Sequence, residues 1–288
     1  MKTARSMSGI VIAVLFGFAP LAAQAPFETT EIADGVYQFR WEGHNAMFLV
    51  TDDGVVVFDP IEVEPASQFA REIQRIAPEA PIAAIVYSHS DADHSTGANT
   101  LLEAMGQSSA PIIAHEAAVE PIRARASAVQ PLPTVTFADR MTFSIGGRPI
   151  ELHYLGPSHT DNMIVPFLPD VGVAFAVDFV SNDRMGFQDL PGWRFPEFFD
   201  AVSSLLRLPF ETIVFGHGPA GDRASILRQI AYYDDLTAAV RDAVARGWSE
   251  DQAADRIRLV QYEDWGQYDA WFPLNVRGVY RWIASSGG

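Results

Sequence analysis

Four metal-competent side chains crowd the stretch IVYSHSDADHSTGAN, residues 85–99: His89, Asp91, Asp93 and His94. They follow directly on an apolar run, which places them in the turn after a strand. Neutral imidazole and carboxylate are the donors of a hydrolytic metal site. Three further groups in similar settings extend the set. His159 lies in GPSHTDN, a loop punctuated by Gly and Pro, and His217 lies in FGHGP beyond another strand. Asp178, in AVDFV, closes an apolar strand, where a charge is costly unless it is paired or bound to metal. Donors spread over separate strand ends point to a centre that only the folded chain assembles.

In order, His89-x-Asp91-x-Asp93-His94, then His159, Asp178 and His217, the chain resembles the metallo-β-lactamase superfamily. The resemblance also takes in VFDP before the first helix, IIAHE after the second, GPSHTDN and FGHGP. It implies an α/β fold, a four-layer αβ/βα sandwich, with a two-metal site in a cleft along one edge of the sheets. It further implies that His89 and His159 hold one cation, that Asp93, His94 and His217 hold the other, and that Asp178 bridges them. Asp59 would stand behind the cluster, near the turn that carries it; a helix cap before Pro60 is the competing role. Two divalent cations are expected, zinc first.

One position departs from the family. The usual motif is His-x-His-x-Asp-His, and Asp91 stands where the second histidine belongs. Three outcomes are open. Asp91 ligates through oxygen, which hardens the first site and moves its preference towards iron or manganese. Or it falls short and leaves that site weak, or another imidazole such as His44 takes its place. Oxygen ligation is the reading we adopt.

Hydrolysis is the chemistry expected. A bound metal lowers the pKa of water from about 16 to about 7, so hydroxide is available at neutral pH, with Asp93 holding the nucleophile. Among family members, Asp at the position of Asp178 resembles the lactonase, thioesterase and phosphodiesterase branches. The expected substrate is a small neutral ester, lactone, thioester or β-lactam. The segment SNDRMGFQDLPGWRFPEF suits a substrate-covering loop, with Phe187 and Trp193 as an apolar wall and Arg194 or Arg184 as a partner for a substrate carboxylate. Two alternatives differ in class: a di-iron or manganese redox enzyme prompted by Asp91, and a non-catalytic metal-binding module.

Composition narrows the rest. The net charge is −16, and loss of Lys2 and Arg5 with a leader would carry it to −18. Nucleic acid and anionic membranes are therefore poor partners. Lys2 is the only lysine and there is no cysteine, which removes Schiff-base and thiol chemistry. Residues 1–25 show the charge, apolar core and small-residue order of a secretory signal. The expectation is export to the periplasm with no stable membrane anchor, leaving a hydrolase domain over 26–288. Oligomeric state is not legible.

The elements that must position the donors follow from pattern. GVYQFRW, NAMFLVT and GVVVFDP read as strands, PASQFAREIQRIA as a helix opening at Pro65, IAAIVYS as a buried strand, and STGANTLLEAMG as one helix. From Thr134 onward, strands follow one another with little helix until about Pro196. A strand, TIVFGHG, and a long helix from about Asp222 to Arg246 come next. Two mixed halves result, each with a sheet facing inward and helices outside.

Overall fold

The computed structural model describes residues 26–285, so the expected leader lies outside the described residues. The first half opens as a meander: β1 (Phe27–Ala33), β2 (Val36–Trp41), β3 (His44–Thr51) and β4 (Gly54–Phe58) pair antiparallel in sequence order. Helical crossovers then make the sheet parallel. α1 (Val63–Ile76) leads to β5 (Ile82–Val86); α2 (Ala92–Ser95) and α3 (Ala98–Ala104) lead to β6 (Ile112–His115); α4 (Val119–Arg125) leads to β7 (Val135–Phe137). Seven strands thus lie in the order of the sequence.

The second sheet has five strands in the order β12-β11-β10-β9-β8. They are β8 (Arg140–Ile145), β9 (Arg148–Tyr154), β10 (Ile164–Leu168), β11 (Val173–Ala176) and β12 (Thr212–Phe215). α5 (Glu197–Leu205) carries the chain from β11 to the parallel β12. The remainder is helical: α6 (Arg223–Ala245), α7 (Glu250–Arg256) and α8 (Tyr268–Ser285).

Residue alternation explains the layering. In β3 and β4, Met47, Leu49, Val56 and Phe58 join a core shared with Ile150, Leu152 and Ile164 of the second sheet. Their neighbours Ala46, Phe48, Val55 and Val57 pack instead with Phe69 and Ile73 of α1 and Leu101 of α3. A period of two therefore sends one face to the other sheet and one to helices, and both are buried. On the far side of the second sheet, Phe198 of α5, Tyr232 and Tyr233 of α6, and Val276 of α8 close the shared core. The layers run helix, sheet, sheet, helix, as expected.

Two expectations change in detail. α1 begins at Val63, with Pro65 in its first turn, where a missing N–H costs nothing. The helix expected from Ser95 begins only at Ala98, as α3; Ser95 instead ends the short α2 before it, and Gly97 separates the two. The Gly97 N–H donates to the Ile61 carbonyl at 2.7 Å, and a Cβ there would stand 2.4 Å from the Pro60 carbonyl oxygen. The turn can approach the 60–62 segment this closely only without a side chain.

Candidate metal centre

Each donor sits just past a strand on the same edge of the two sheets. The turn after β5 carries His89, Asp91, Asp93 and His94; the β9–β10 loop carries His159; Asp178 and His217 follow β11 and β12. Asp91 is the N-cap residue of α2, yet its carboxylate makes no cap hydrogen bond and faces the cluster instead. Asp178 holds a left-handed backbone, φ +62°, a conformation that costs a non-glycine residue about 1 kcal/mol or more unless its surroundings enforce it.

Asp178 is the hub. Its Oδ2 lies 3.3 Å from His89 Nε2, 3.4 Å from His94 Nε2 and 3.9 Å from His159 Nε2, while its Oδ1 lies 3.0 Å from His217 Nε2. Asp91 Oδ2 is 3.3 Å from His159 Nε2 and 3.5 Å from His89 Nε2. Asp93 Oδ2 is 3.4 Å from His94 Nε2 and 3.5 Å from His44 Nε2. Two donor sets result: His89, Asp91, His159 and Asp178; and Asp93, His94, His217 and Asp178, the donor atoms in each lying within 4.8 Å of one another.

The hydrogen bonds behind the imidazoles decide which nitrogen faces the cluster. Buried Asp59 accepts from Ser88 N at 2.7 Å and from Ser88 Oγ at 2.6 Å. The Ser88 hydroxyl has one proton and gives it to Asp59, so at 2.8 Å it accepts from His89 Nδ1–H. His94 Nδ1 lies 3.2 Å from the same Asp59 carboxylate, and His217 Nδ1–H donates to the Gly43 carbonyl at 2.8 Å. His89 and His217 therefore hold their protons behind them and turn Nε2 inward, and the carboxylate of Asp59 beside Nδ1 favours the same orientation for His94, the arrangement that metal-binding histidines require. His89 Nε2 and His94 Nε2 are buried there with no hydrogen-bond partner. The donor set fits a cation.

Electrostatics state the same demand. Burial opposes charge on His89, but the nearby carboxylates of Asp178 and Asp91 outweigh it and lift its pKa to about 9. Burial also works against His94, yet Asp178 and Asp59 raise it well above the ordinary imidazole value. Burial would push the Asp178 carboxyl up; His94 and His217 hold it well below the carboxylate range. Asp91 is held down by His159 and His89 against its own burial. Asp93, likewise partly buried, is held at about 2 by His44 and His94. Without a cation the carboxylates recruit protons onto the rings; a metal supplies the positive charge in their place.

Side chains that sequence reasoning did not single out fix the loops. Asn45 is fully buried; its Nδ2 donates to Phe215 O at 2.8 Å and Gly218 O at 2.7 Å, and Gln38 Nε2 donates to its Oδ1 at 2.9 Å. This ties β3 to the His217 loop. Asn162 accepts from Ser90 N at 2.9 Å and so ties the His159 loop to the His89 turn. The only sequence signal was weak: Asn45 directly follows His44, and Asn162 lies three residues after His159.

A cavity of about 670 Å³ opens over the donors, bordered by His44, Val180, Arg184, Met185, Phe187 and Trp271 among others. His44 and Phe187, two of the sequence candidates, are among these bordering residues. Trp193 does not line it: the left-handed Gly192 turns the chain, and the indole packs inward at 4.6 Å from Phe198 and 5.2 Å from Tyr233. Arg194 is also off the cavity, exposed and paired with Glu197 at 3.3 Å. The guanidinium on the wall is Arg184, stacked 4.8 Å over Trp271 and without a carboxylate partner among the described residues. Asp59 is no helix cap, since Glu62 occupies that position for α1.

A family model described as the metallo-beta-lactamase superfamily matches residues 39–217. The chain is 28% identical over 238 residues to the 2,4-dinitroanisole O-demethylase subunit alpha of Nocardioides sp. (strain JS1661), covering 81% of this chain and 67% of that one. It is 29% identical over 75 residues to a linear primary-alkylsulfatase of Pseudomonas sp., but covers only 11% of it. Among solved structures, a metallo-beta-lactamase from Pontibacter korlensis superposes with a TM-score of 0.60 at 23% identity, over 71% of this chain and 97% of that one. A metallo-beta-lactamase from Erythrobacter litoralis gives 0.59 at 19% identity, over 74% and 98%.

Proposed function

Because the chain belongs to the metallo-beta-lactamase superfamily, we propose that it is a metal-dependent hydrolase of a small neutral ester, lactone, thioester or β-lactam. The observation that supports this reading most is the convergence of four imidazole Nε2 atoms on one carboxylate, Asp178, with two of them buried and unpartnered.

In this reading His89, Asp91 and His159 hold one cation, Asp93, His94 and His217 the other, and Asp178 serves both. When bound, such a pair supplies a hydroxide nucleophile at neutral pH and polarises the group under attack. Each set offers two imidazoles and two carboxylates, donors that zinc accepts; Asp91, standing where the family has an imidazole, makes the first set harder than usual and open to iron or manganese.

The chain's own groups do the remaining work. Asp93, with a pKa held at about 2, stays ionised and is too weak a base to keep a proton. Its task is to accept a hydrogen bond from the attacking water and aim it. His44 Nε2, 3.5 Å from Asp93 Oδ2 and on the cavity wall, is placed to pass a proton to the leaving group. Met185, Phe187 and Trp271 offer apolar surface to the substrate body, and Arg184 offers a bidentate donor to a polar substituent.

A second reading draws on the demethylase subunit. Its name implies an activated aryl methyl ether, and the aromatic side chains Phe187 and Trp271 on the cavity wall would suit an aryl leaving group.

Metal analysis of the purified protein, followed by turnover of a panel of esters, lactones, thioesters, β-lactams and nitroaryl ethers, tests both. Metal-dependent acyl hydrolysis, lost on chelation and restored by adding metal, is expected. Turnover confined to aryl ethers would favour the second reading. Protein that binds no metal, or carries only a reducible iron pair without hydrolysis, would overturn both.

A further inference from the structure

Asp91 differs from its counterpart imidazole in bringing a full negative charge to the first donor set. The structure contains an answer to that charge on α4, outside the donor set. Arg125, in the last turn of α4, donates from Nη1 to the Ser90 carbonyl at 2.7 Å and to Gln130 Oε1 at 2.7 Å. Gln130 in turn donates to Ser90 O at 2.9 Å and to Ser95 Oγ at 2.5 Å, and Ser95 Oγ donates to Asp91 O at 2.6 Å. Ala126, directly after α4, adopts a left-handed conformation, φ +49°, and the chain beyond it returns Gln130 beside Arg125. The guanidinium is thus anchored to the metal-binding turn without help from the Asp91 side chain.

From that anchored position Nη2 stands 4.0 Å from Asp91 Oδ1, while Asp91 Oδ2 points at His89 and His159. One oxygen faces the fixed cation of the protein, and the other faces the donor cluster. We propose that Arg125 is a positioning residue for the first metal site: it divides the two oxygens of Asp91, presents Oδ2 alone to the metal, and offsets the charge that the aspartate adds. This inference rests on the two-metal reading and assigns a partner that only an aspartate at position 91 would need. An imidazole there would leave Arg125 with a bare guanidinium beside a dication.

The test is a double-mutant cycle on metal affinity. Zinc(II) is titrated into the full metal-free chain against a chromophoric chelator for wild type, Arg125→Ala, Asp91→His and the double variant. In the wild-type background, Arg125→Ala is expected to weaken the first site by about 10–100-fold, the usual cost of removing a group that orients a ligand. The second site should change by no more than about twofold, the range of independent positions. In the Asp91→His background, Arg125→Ala should leave the first site within about twofold or tighten it. An equal loss in both backgrounds, a loss at both sites, or no change would overturn the proposal. If Arg125→Ala fails to fold, as judged by thermal unfolding of metal-free protein, Arg125→Gln replaces it; failure of both makes Arg125 a strut of the fold and also overturns it. Wild-type protein that takes up no zinc would instead remove the two-metal reading itself.

Discussion

Ser88 decides which nitrogen of His89 faces the donor cluster. Its single proton goes to Asp59, so the ring must donate from Nδ1 and present Nε2 to the cluster. Asp59 controls two rings at once, through Ser88 and through its 3.2 Å approach to His94 Nδ1. Asp59→Ala is therefore expected to weaken zinc binding by about 10–100-fold while every donor remains, measurable by chelator competition. Unchanged affinity would show that the rings find their tautomers without it. The donors were legible because their types are rare and their order along the chain is specific. Ser88, Asn45 and Asn162 were not, because a serine or amide beside a histidine carries no mark of what it bonds across the fold. Trp193 and Arg194 show the complementary limit: a Gly/Pro-rich loop announces a covering segment, but not which of its side chains turn inward.

At the scale of elements, the site depends on how closely strand ends from different sheets approach. Asn45 of β3 bonds the backbone at the last residue of β12 and in the loop beyond it, and Gly216 N-terminal to His217 has room for no Cβ, which would lie 2.5 Å from Val177 Cγ1. Asn45→Ala leaves the carbonyls of Phe215 and Gly218 without this donor in a buried setting. The expected cost is about 1–3 kcal/mol of stability, read from denaturant unfolding, with weaker binding at the set that includes His217. A variant of wild-type stability would show that water replaces the amide at no cost. The strands themselves were readable from alternation. The late start of α3 was not, since the Ser95–Thr96 pair reads as a helix cap and only the nearness of residues 60–62 demands the glycine that follows.

At the scale of the whole molecule, composition makes one titration unusually clean. With Lys2 the only lysine, tyrosine is the main group expected to ionise between pH 9 and 12 among the described residues. Burial raises the phenols of Tyr87, Tyr232 and Tyr233, and burial with Asp235 raises Tyr262 to about 12. A raised phenol favours the folded state while neutral. That stabilisation is complete below the ordinary value of about 10 and disappears as pH climbs through the folded value. Phenolate absorbance should therefore lag behind that of exposed tyrosine and complete only together with loss of circular dichroism, near or above pH 12. Full ionisation near pH 10 with the fold retained would contradict this packing. The layered architecture also dictates a timetable. Donors from residue 89 on one sheet and residues 159, 178 and 217 around the other meet only after the halves have docked. The complete donor set does not exist in the nascent chain, so under the proposed reading any cation would load last and would then rivet together two sheets that had to find each other unaided.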